Sequence, residues 1–180
     1  MKDMESLIIY GSQYGTTEQY GKELSRRTGI PSLDYKEVRH LEGYDRIIYL
    51  GALYAGSVKG LKETLRGMRE SQELVLVTVG LGDPADAESV ETIRKSLAQQ
   101  VPETILNRAK LFHLRGGVDY EKMNFTHRTM MALLYNKVKK LPEERQNAIV
   151  RAILDTYHKQ VSFVDFETLE PIAEAVQEKV

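Results

Sequence analysis

The residues with the clearest chemical potential follow the first apolar run of the chain. There the first loop, residues 11–17, reads GSQYGTT and carries hydroxyl groups on Ser12, Thr16 and Thr17. Gly15 can adopt a positive φ, and Thr16 or Thr17 can cap a helix that begins at the end of the loop. Exposed backbone N–H groups and the positive end of the helix dipole would then face one point. The pattern predicts an anion site, most simply for a phosphate monoester.

No lysine or arginine occurs between Gly11 and Glu18. A loop that binds a nucleoside triphosphate carries a lysine in its GxxxxGK[ST] pattern, so the sequence argues against that class of site. We therefore expect the phosphate to be held by uncharged donors alone. An ordinary strand-to-helix turn with a threonine cap is the alternative interpretation of this loop.

The second loop, residues 51–60, reads GALYAGSVKG, and Tyr54 is its only large ring. One aromatic ring among small neighbours suits a flat ligand, which needs an apolar surface and backbone hydrogen bonds. A mobile turn with an exposed tyrosine would have the same composition, so both interpretations stay open.

The third loop, residues 80–88, reads GLGDPADAE and matches the pattern G-x-G-x-x-A when Ala85 is included. Three observations disfavour a dinucleotide fingerprint. The loop does not belong to the first strand–helix–strand unit, Pro84 lies inside it, and no acidic residue follows at the required spacing.

Alternating strand and helix patterns must position these loops. Unbroken apolar runs, typical of strands buried on both faces, predict strands at residues 6–10, 46–50, 73–79 and 111–115, with a weaker strand at 32–38. Amphipathic patterns predict helices at residues 17–27, 58–69, 85–100 and 169–179. This alternation predicts an α/β three-layer sandwich with a five-stranded parallel sheet. Ligands of such sheets bind beyond the carboxyl ends of the strands, where the three loops lie.

Composition narrows the classes of function. The 180 residues are 42% hydrophobic, and the formal net charge of −1 gives no sign of a nucleic-acid partner. Because cysteine is absent, thiol nucleophiles and thiolate-held iron–sulfur clusters are excluded, and redox chemistry would require a bound cofactor. No apolar run approaches the length of a membrane span, and no signal-peptide pattern is present. We expect a cytoplasmic protein.

Histidines and acidic pairs do not suggest a catalytic or metal site. His113 lies in a predicted strand, where a core or edge histidine is expected. His127 and His158 are far apart in sequence and have no companion at metal-ligand spacing. Asp83 and Asp86 fit as capping residues at a helix start. We predict no catalytic side chain and no metal ligand.

The stretches GSQYGTT, YLGALYAG and TVGLGDP together resemble the flavodoxin-like family, whose members bind FMN. The resemblance implies a flavodoxin-like sandwich with strand order 2-1-3-4-5. It places the first loop around the FMN phosphate and the second and third loops on either side of the isoalloxazine ring. The cofactor-binding residues so implied are Ser12, Gln13, Tyr14, Gly15, Thr16 and Thr17 in the first loop, Ala52, Leu53, Tyr54, Ala55 and Gly56 in the second, and Gly80, Leu81, Gly82 and Asp83 in the third.

Two residue types depart from the family pattern. Tyr14 stands where many flavodoxins have threonine or serine. The chain also has no tryptophan, which often stacks on the outer face of the ring, so Tyr54 is the stacking candidate.

A segment of about residues 118–160 separates the fifth predicted strand from the last helix, within what we expect to be a single domain of residues 1–180. This layout is similar to the branch that contains menaquinone-dependent protoporphyrinogen IX dehydrogenase. From Arg108 to Lys159 the chain has 11 Lys and Arg against 5 Asp and Glu, so this region is basic.

A helix is predicted at residues 123–140 of the insertion. Its apolar side chains fall on one face, and they are Met123, Met130, Met131, Leu134 and Val138. This face could pack on the parent domain, or it could bind a hydrophobic substrate or an anionic membrane surface.

These observations predict an FMN-dependent oxidoreductase in which the flavin, and no protein side chain, transfers electrons. As the resemblance implies, its substrate would be protoporphyrinogen IX or a similar flat hydrophobic molecule, with a quinone as acceptor. A flavodoxin-type electron carrier that docks on a redox protein is one alternative. An interaction module without flavin is another, because fold does not fix function.

Overall fold

Five parallel strands form the central sheet of residues 4–178, the part of the chain that the computed structural model describes. In chain order, the strands of the protein are β1 (Ser6–Gly11), β2 (Ser32–Asp34), β3 (Arg46–Tyr54), β4 (Ser57–Val58), β5 (Glu73–Gly80), β6 (Lys110–Arg115), β7 (Gly117–Asp119) and β8 (Gln160–Ser162). The parallel strands lie in the order β2-β1-β3-β5-β6. This order confirms the predicted 2-1-3-4-5 arrangement.

Helices cover both faces of the sheet. They are α1 (Thr16–Thr28), α2 (Leu61–Leu65), α3 (Ala87–Ala98), α4 (Glu103–Leu106), α5 (Phe125–Val138), α6 (Ala148–Thr156) and α7 (Glu170–Gln177). One core cluster joins the sheet to α1 and α7, and a second joins the opposite face to α2, α3 and α4. The predicted three-layer sandwich is therefore confirmed.

The middle strands are buried on both faces, as their unbroken apolar runs predicted. Ile8 and Ile48 belong to the cluster beneath α1 and α7, whereas Leu7, Ile47 and Leu76 belong to the cluster on the other face. Successive side chains of a strand point to opposite faces, so a strand inside a sandwich is apolar at most positions. Arg46 in β3 and Thr78 in β5 are buried exceptions.

The predicted helix at residues 58–69 is wrong in its first part. The strand β4 occupies this region and pairs antiparallel with the end of β3. Val58 packs closely over Gly51, where an added Cβ would lie 2.1 Å from Val58 Cγ1. The helix is limited to α2, which begins after Gly60 at φ 75°. The hairpin is local: Leu53 pairs with Val58 across a turn in which Ala55 and Gly56 have positive φ. The prediction is also wrong after Leu65, where α2 ends.

Side-chain caps set the ends of two elements. The second strand, predicted to extend over residues 32–38, ends at Asp34, whose carboxylate accepts a hydrogen bond from the N–H of Lys36 and begins a 3₁₀ turn. Asp86 caps α3 by accepting from the N–H of Ser89 at 2.8 Å, as the sequence predicted. The predicted capping role of Asp83 is wrong, because its side chain accepts from the N–H of Ala85 at 2.9 Å in the turn before α3.

The last helix, predicted at residues 169–179, is a 3₁₀ turn at Phe166–Leu169 followed by α7. Lys179 of this prediction lies outside the described residues. The expected single-domain organisation of the whole chain stays a prediction.

The insertion between β6 and α7 has its own secondary structure. It begins and ends with β7 and β8, which pair antiparallel, and it contains α5 and α6. The sequence predicted α5 but neither the β7–β8 ribbon nor α6. A third apolar cluster holds the insertion together and includes Val118, Met123, Met131, Val138 and Ile153.

Candidate functional site

The carboxyl ends of β1, β3, β5 and β6 border a cavity of about 580 Å³, a volume typical of small-molecule and cofactor sites. Parallel strands end at the same edge of the sheet, and for this reason the three loops meet there. Twelve of the predicted cofactor-binding residues line the cavity: Gln13, Tyr14, Thr16, Ala52, Leu53, Tyr54, Ala55, Gly56, Gly80, Leu81, Gly82 and Asp83. Ser12, Gly15 and Thr17 lie beside it, in the first loop and its helix start. As cofactor ligands, all of these residues stay predictions.

The first loop turns into α1 at Gly15, which has φ 96° and ψ −15°. The prediction that Thr16 or Thr17 caps the helix is wrong, because both residues already lie in its first turn and no side chain caps it. Ser12 Oγ instead accepts a hydrogen bond from the N–H of Gly15 at 3.0 Å. The positive φ of a glycine makes this direct entry into the helix inexpensive.

Thr17 is completely buried, and its hydroxyl has no hydrogen-bond partner among the described residues. Buried hydroxyls are normally paired, so an orphan at a helix N-terminus requires an explanation. Intrahelical hydrogen bonding begins at Gln19, whose N–H donates to Gly15 O at 3.0 Å. The N–H groups of the first turn therefore have no acceptor inside the helix. The orphan hydroxyl and these N–H groups together form a set of donors for an anion.

A cation adjoins the first loop, and the expectation that uncharged donors alone hold a phosphate stays a prediction. Lys59 Nζ donates a hydrogen bond to the side-chain oxygen of Gln13. Lys59 belongs to the second loop, so the spacing within the first loop carried no sign of this contact.

Three rings meet in the cavity. His127 of α5 stacks on Tyr14 with ring planes 5° apart and centroids separated by 5.3 Å. Tyr54 packs edge-on against the same imidazole at 4.6 Å. The Tyr14 hydroxyl and His127 Nδ1 are buried without hydrogen-bond partners among the described residues. The second loop, the first loop and the insertion thus contribute one aromatic side chain each.

His127 lines the cavity but is not among the cofactor-binding residues predicted from the sequence. Its position was detectable, because it falls at helical spacing within the methionine stripe, four residues after Met123 and four before Met131. Its side chain is 6% exposed, and burial lowers its pKa below the usual histidine value.

His113 lies in the edge strand β6, as the sequence predicted. Its Nδ1 lies 2.7 Å from Thr78 Oγ1, and both residues line the floor of the cavity. Burial lowers the pKa of His113, and the charge of Arg94 lowers it further.

Arg115 holds the third loop in place, and the sequence analysis did not identify it. Its Nη2 and Nε donate to the carbonyl oxygen of Leu81 at 2.9 and 3.2 Å. The guanidinium lies over the Phe163 ring at 3.8 Å from the centroid. Such stacking reduces the freedom of the arginine side chain and therefore of the loop that it binds.

The insertion forms a roof over the cavity. The apolar face predicted for α5 is confirmed, since its residues belong to the third apolar cluster or pack against it. The roof is defined as the side chains that line the cavity from α5, from α6 and from the turn before α5. It consists of Met123 before α5, His127, Met130, Met131 and Leu134 from α5, and Ile149 and Ile153 from α6. Packing on the parent domain is therefore confirmed as one role of this face, and binding of a hydrophobic substrate or a membrane surface stays a prediction.

Residues 4–178 contain no helix with the length and apolarity needed to cross a bilayer. The same residues contain no cluster of three or more His, Cys, Asp or Glu side chains that could hold a metal ion.

The chain belongs to the flavodoxin domain family, whose model matches residues 7–145. This range includes the central sheet except Ser6, the three loops and the whole of α5. Among curated proteins, none gives a significant match. Family membership confirms the resemblance noted in the three loops.

Solved structures with a similar fold are flavoproteins of low sequence identity. A flavoprotein in complex with FMN from Lactobacillus acidophilus is 13% identical, covers 62% of this chain and 92% of that chain, and has a TM-score of 0.42. A flavodoxin from Pseudomonas aeruginosa is 16% identical, with 74% and 96% covered and a TM-score of 0.38. The flavodiiron core of Flv1 from Synechocystis is 13% identical and has a TM-score of 0.40. The match covers 62% of this chain but only 30% of the Flv1 core.

The family implies FMN, and the residues of the site fit this cofactor. The first turn of α1 offers N–H groups and the buried hydroxyl of Thr17 to a phosphate. The cavity offers the aromatic surfaces of Tyr14, Tyr54 and His127 to a flat ring. Two orphan polar atoms on these rings stand where a ligand with hydrogen-bonding groups would satisfy them.

Replacement of Thr17 by valine tests the anion site. Because the hydroxyl is unpaired in the protein alone, Thr17→Val should leave the free energy of unfolding unchanged or raise it by about 1 kcal/mol. FMN binding should weaken by about 1.5–3 kcal/mol, the contribution of a hydrogen bond to a charged group. Thr28→Val is the control, since its hydroxyl donates to Leu24 O at 2.8 Å at the other end of α1. Fluorescence titration and urea unfolding measure both effects, and an unchanged FMN affinity would contradict this placement of the phosphate.

The lowered pKa of His127 predicts a pH-dependent stability. Folded His127 resists protonation, whereas the unfolded chain takes up the proton near the ordinary value of about 6.5. The free energy of unfolding should therefore fall as the pH decreases from about 7 to about 5. His127→Gln should show a smaller fall in the free energy of unfolding. His40→Gln, which replaces an exposed histidine, should show the same fall as the wild-type protein. Urea unfolding at several pH values measures the slopes; equal slopes in all three proteins would refute the assignment to His127.

Proposed function

We propose that the protein is an FMN-dependent oxidoreductase that encloses a flat hydrophobic substrate beside the flavin ring. The observation that carries this proposal is the roof, which covers the carboxyl edge of the sheet with apolar side chains. FMN is the cofactor that the flavodoxin domain implies and that the site fits. Bound there, it supplies the acceptance and donation of electrons that the side chains of this chain do not provide.

The chain's own residues would bind and orient the reactants. Tyr14 and Tyr54 offer ring surfaces, and the third loop, held by Arg115, offers backbone groups to the same cavity. His127 stays uncharged near neutral pH because its pKa is lowered, so it can contact an apolar ring without the cost of burying a charge. The apolar roof excludes water from the reacting groups.

The shape and polarity of the cavity support a substrate that is flat and hydrophobic. Methionines at positions 123, 130 and 131 provide adaptable thioether surfaces, which suit a large and irregular apolar molecule. The resemblance to the branch with protoporphyrinogen IX dehydrogenase suggests a reduced porphyrin as the substrate and a quinone as the acceptor. An electron carrier is the second candidate, and it would instead need an open path from the ring edge to a protein partner.

Enlarging one roof side chain tests the proposed enclosure. Met130→Trp should fill part of the cavity and lower kcat/KM for protoporphyrinogen with a menaquinone analogue on the order of tenfold. Asn136→Trp, on the exposed side of α5, is the matched control. FMN content and the reduction of the small acceptor ferricyanide should be the same in both variants, since these do not depend on room for a flat substrate.

Three outcomes would contradict the proposal in different ways. If the wild-type protein binds no FMN at micromolar concentration, it is an interaction module. If it binds FMN but transfers electrons only to redox proteins, it is a carrier. If Met130→Trp and Asn136→Trp turn over equally, the roof does not enclose the substrate.

The outer side of α5 supports a further part of the proposal, namely contact with an anionic membrane that supplies the quinone. Phe125 is 85% exposed and Leu133 is 68% exposed, and Lys137 and Lys139 lie exposed on the same helix or at its end. Exposed apolar side chains beside basic ones are typical of helices that bind the membrane interface.

Co-sedimentation with vesicles tests the membrane contact. The wild-type protein should pellet with anionic vesicles at low salt and less at high salt. The double variant Phe125→Ser, Leu133→Ser should pellet less, whereas Met4→Ser, at the opposite end of the sheet, should behave as the wild-type protein. An absence of pelleting under all conditions would leave a protein or a dissolved quinone as the acceptor.

A further inference from the structure

Lys59 lies directly over the end of β1, where the first loop begins. Its N–H donates to Ala52 O at 2.9 Å, and its carbonyl oxygen accepts from the Tyr49 hydroxyl at 2.5 Å. Gly11 passes so close beneath it that an added Cβ would lie 2.1 Å from Lys59 O. These contacts fix the backbone of Lys59 against the first loop, so the origin of its side chain is well defined.

The side chain of Lys59 extends along the first loop to Gln13. It is half-buried, and Nζ donates to the neutral oxygen of the Gln13 side chain. Among residues 4–178, the ion pairs do not include Lys59. A partly buried ammonium without a carboxylate partner is costly, because its charge is neither fully hydrated nor neutralised.

The surroundings of Lys59 make this position more positive still. Burial lowers the pKa of Lys59, the charge of Lys36 lowers it further, and Asp34 opposes both effects. The N-terminus of α1 adds the positive end of a helix dipole at the same loop. Two ammonium groups and a helix N-terminus in one region stabilise an anion and are themselves stabilised by it.

We propose that Lys59 supplies, from the second loop, the cation of an anion site whose uncharged donors belong to the first loop, and that it makes the site select a phosphate ester over the same ring system without phosphate. This inference rests on the proposed function, since FMN is the phosphate ester in question. In the protein alone, Gln13 keeps the ammonium at the loop. A charge-assisted hydrogen bond or close charge pair with phosphate is stronger than this contact with a neutral amide.

A comparison of FMN with riboflavin tests the proposal, because the two ligands share the ring system and differ in the phosphate. Lys59→Met should weaken FMN binding on the order of tenfold and leave riboflavin binding unchanged. Lys62→Met removes the same charge from an exposed lysine three residues away and should change neither affinity. Lys59→Arg should retain most of the FMN affinity. Flavin fluorescence titration measures all of these dissociation constants.

Two results would overturn the proposal. One is an FMN affinity that Lys59→Met leaves unchanged; the other is an equal loss of FMN and riboflavin affinity, which would mean that Lys59 only supports the loop. If Lys59→Met does not fold, the salt dependence of flavin binding by the wild-type protein tests the proposal instead. FMN affinity should then decrease with added NaCl more steeply than riboflavin affinity, and equal dependence would overturn the proposal.

A failure of the proposed function gives a different result. If the wild-type protein binds neither flavin, the assignment as an FMN enzyme fails, and inorganic phosphate then tests Lys59 alone. Phosphate should raise the Tm of the wild-type protein and of Lys62→Met but not of Lys59→Met. An equal rise in all three proteins would overturn the role of Lys59.

Discussion

The entry of the chain into α1 is the constraint on which the site depends. The positive φ of Gly15 lets the first loop pass into the helix without a capping side chain. Among residues 4–178, the buried hydroxyl of Thr17 has no hydrogen-bond partner and no side chain caps the first turn of α1. Ordinary helices satisfy such groups with a Ser, Thr, Asn or Asp cap, as Asp86 does for α3. Unpaired groups of this kind cost stability in the protein alone, and we expect that a bound anion would recover that cost as affinity.

The roof and the loops form one packed unit, although they are far apart in sequence. Tyr14 and Leu81 pack against the third apolar cluster, whose other members come from the insertion. This packing gives a physical reason for the departure from the family pattern at Tyr14. A threonine or serine there would offer a hydroxyl to the first loop, but it would leave the stacked position on His127 empty. Tyr14 therefore connects the first loop to the roof, and we expect substitutions in the roof to change the position of the first loop.

The second loop joins the ring site to the anion site. Its turn after β3 places Tyr54 at the rings, and its return along β4 places Lys59 over the first loop. Gly11 and Gly51 make this return path sterically accessible, since a Cβ at either position would collide with the second loop. A helix over the whole of residues 58–69 would have carried Lys59 away from Gln13. The short hairpin thus places Lys59 beside Gln13 of the first loop.

The sequence by itself determined the central sheet, its strand order and the edge of the sheet at which the cavity lies. These follow from local patterns, namely unbroken apolar strands alternating with amphipathic helices, and from the loop composition that identified the family. The hairpin at β4 and the helix α6 were not predicted although both are local, since Leu53 pairs with Val58 and Asn147 caps α6. Only the tertiary structure decided the ring contacts of His127 and the place of Lys59 beside Gln13. These contacts join residues that are distant in the chain, and local periodicity carries no information about which distant surfaces meet.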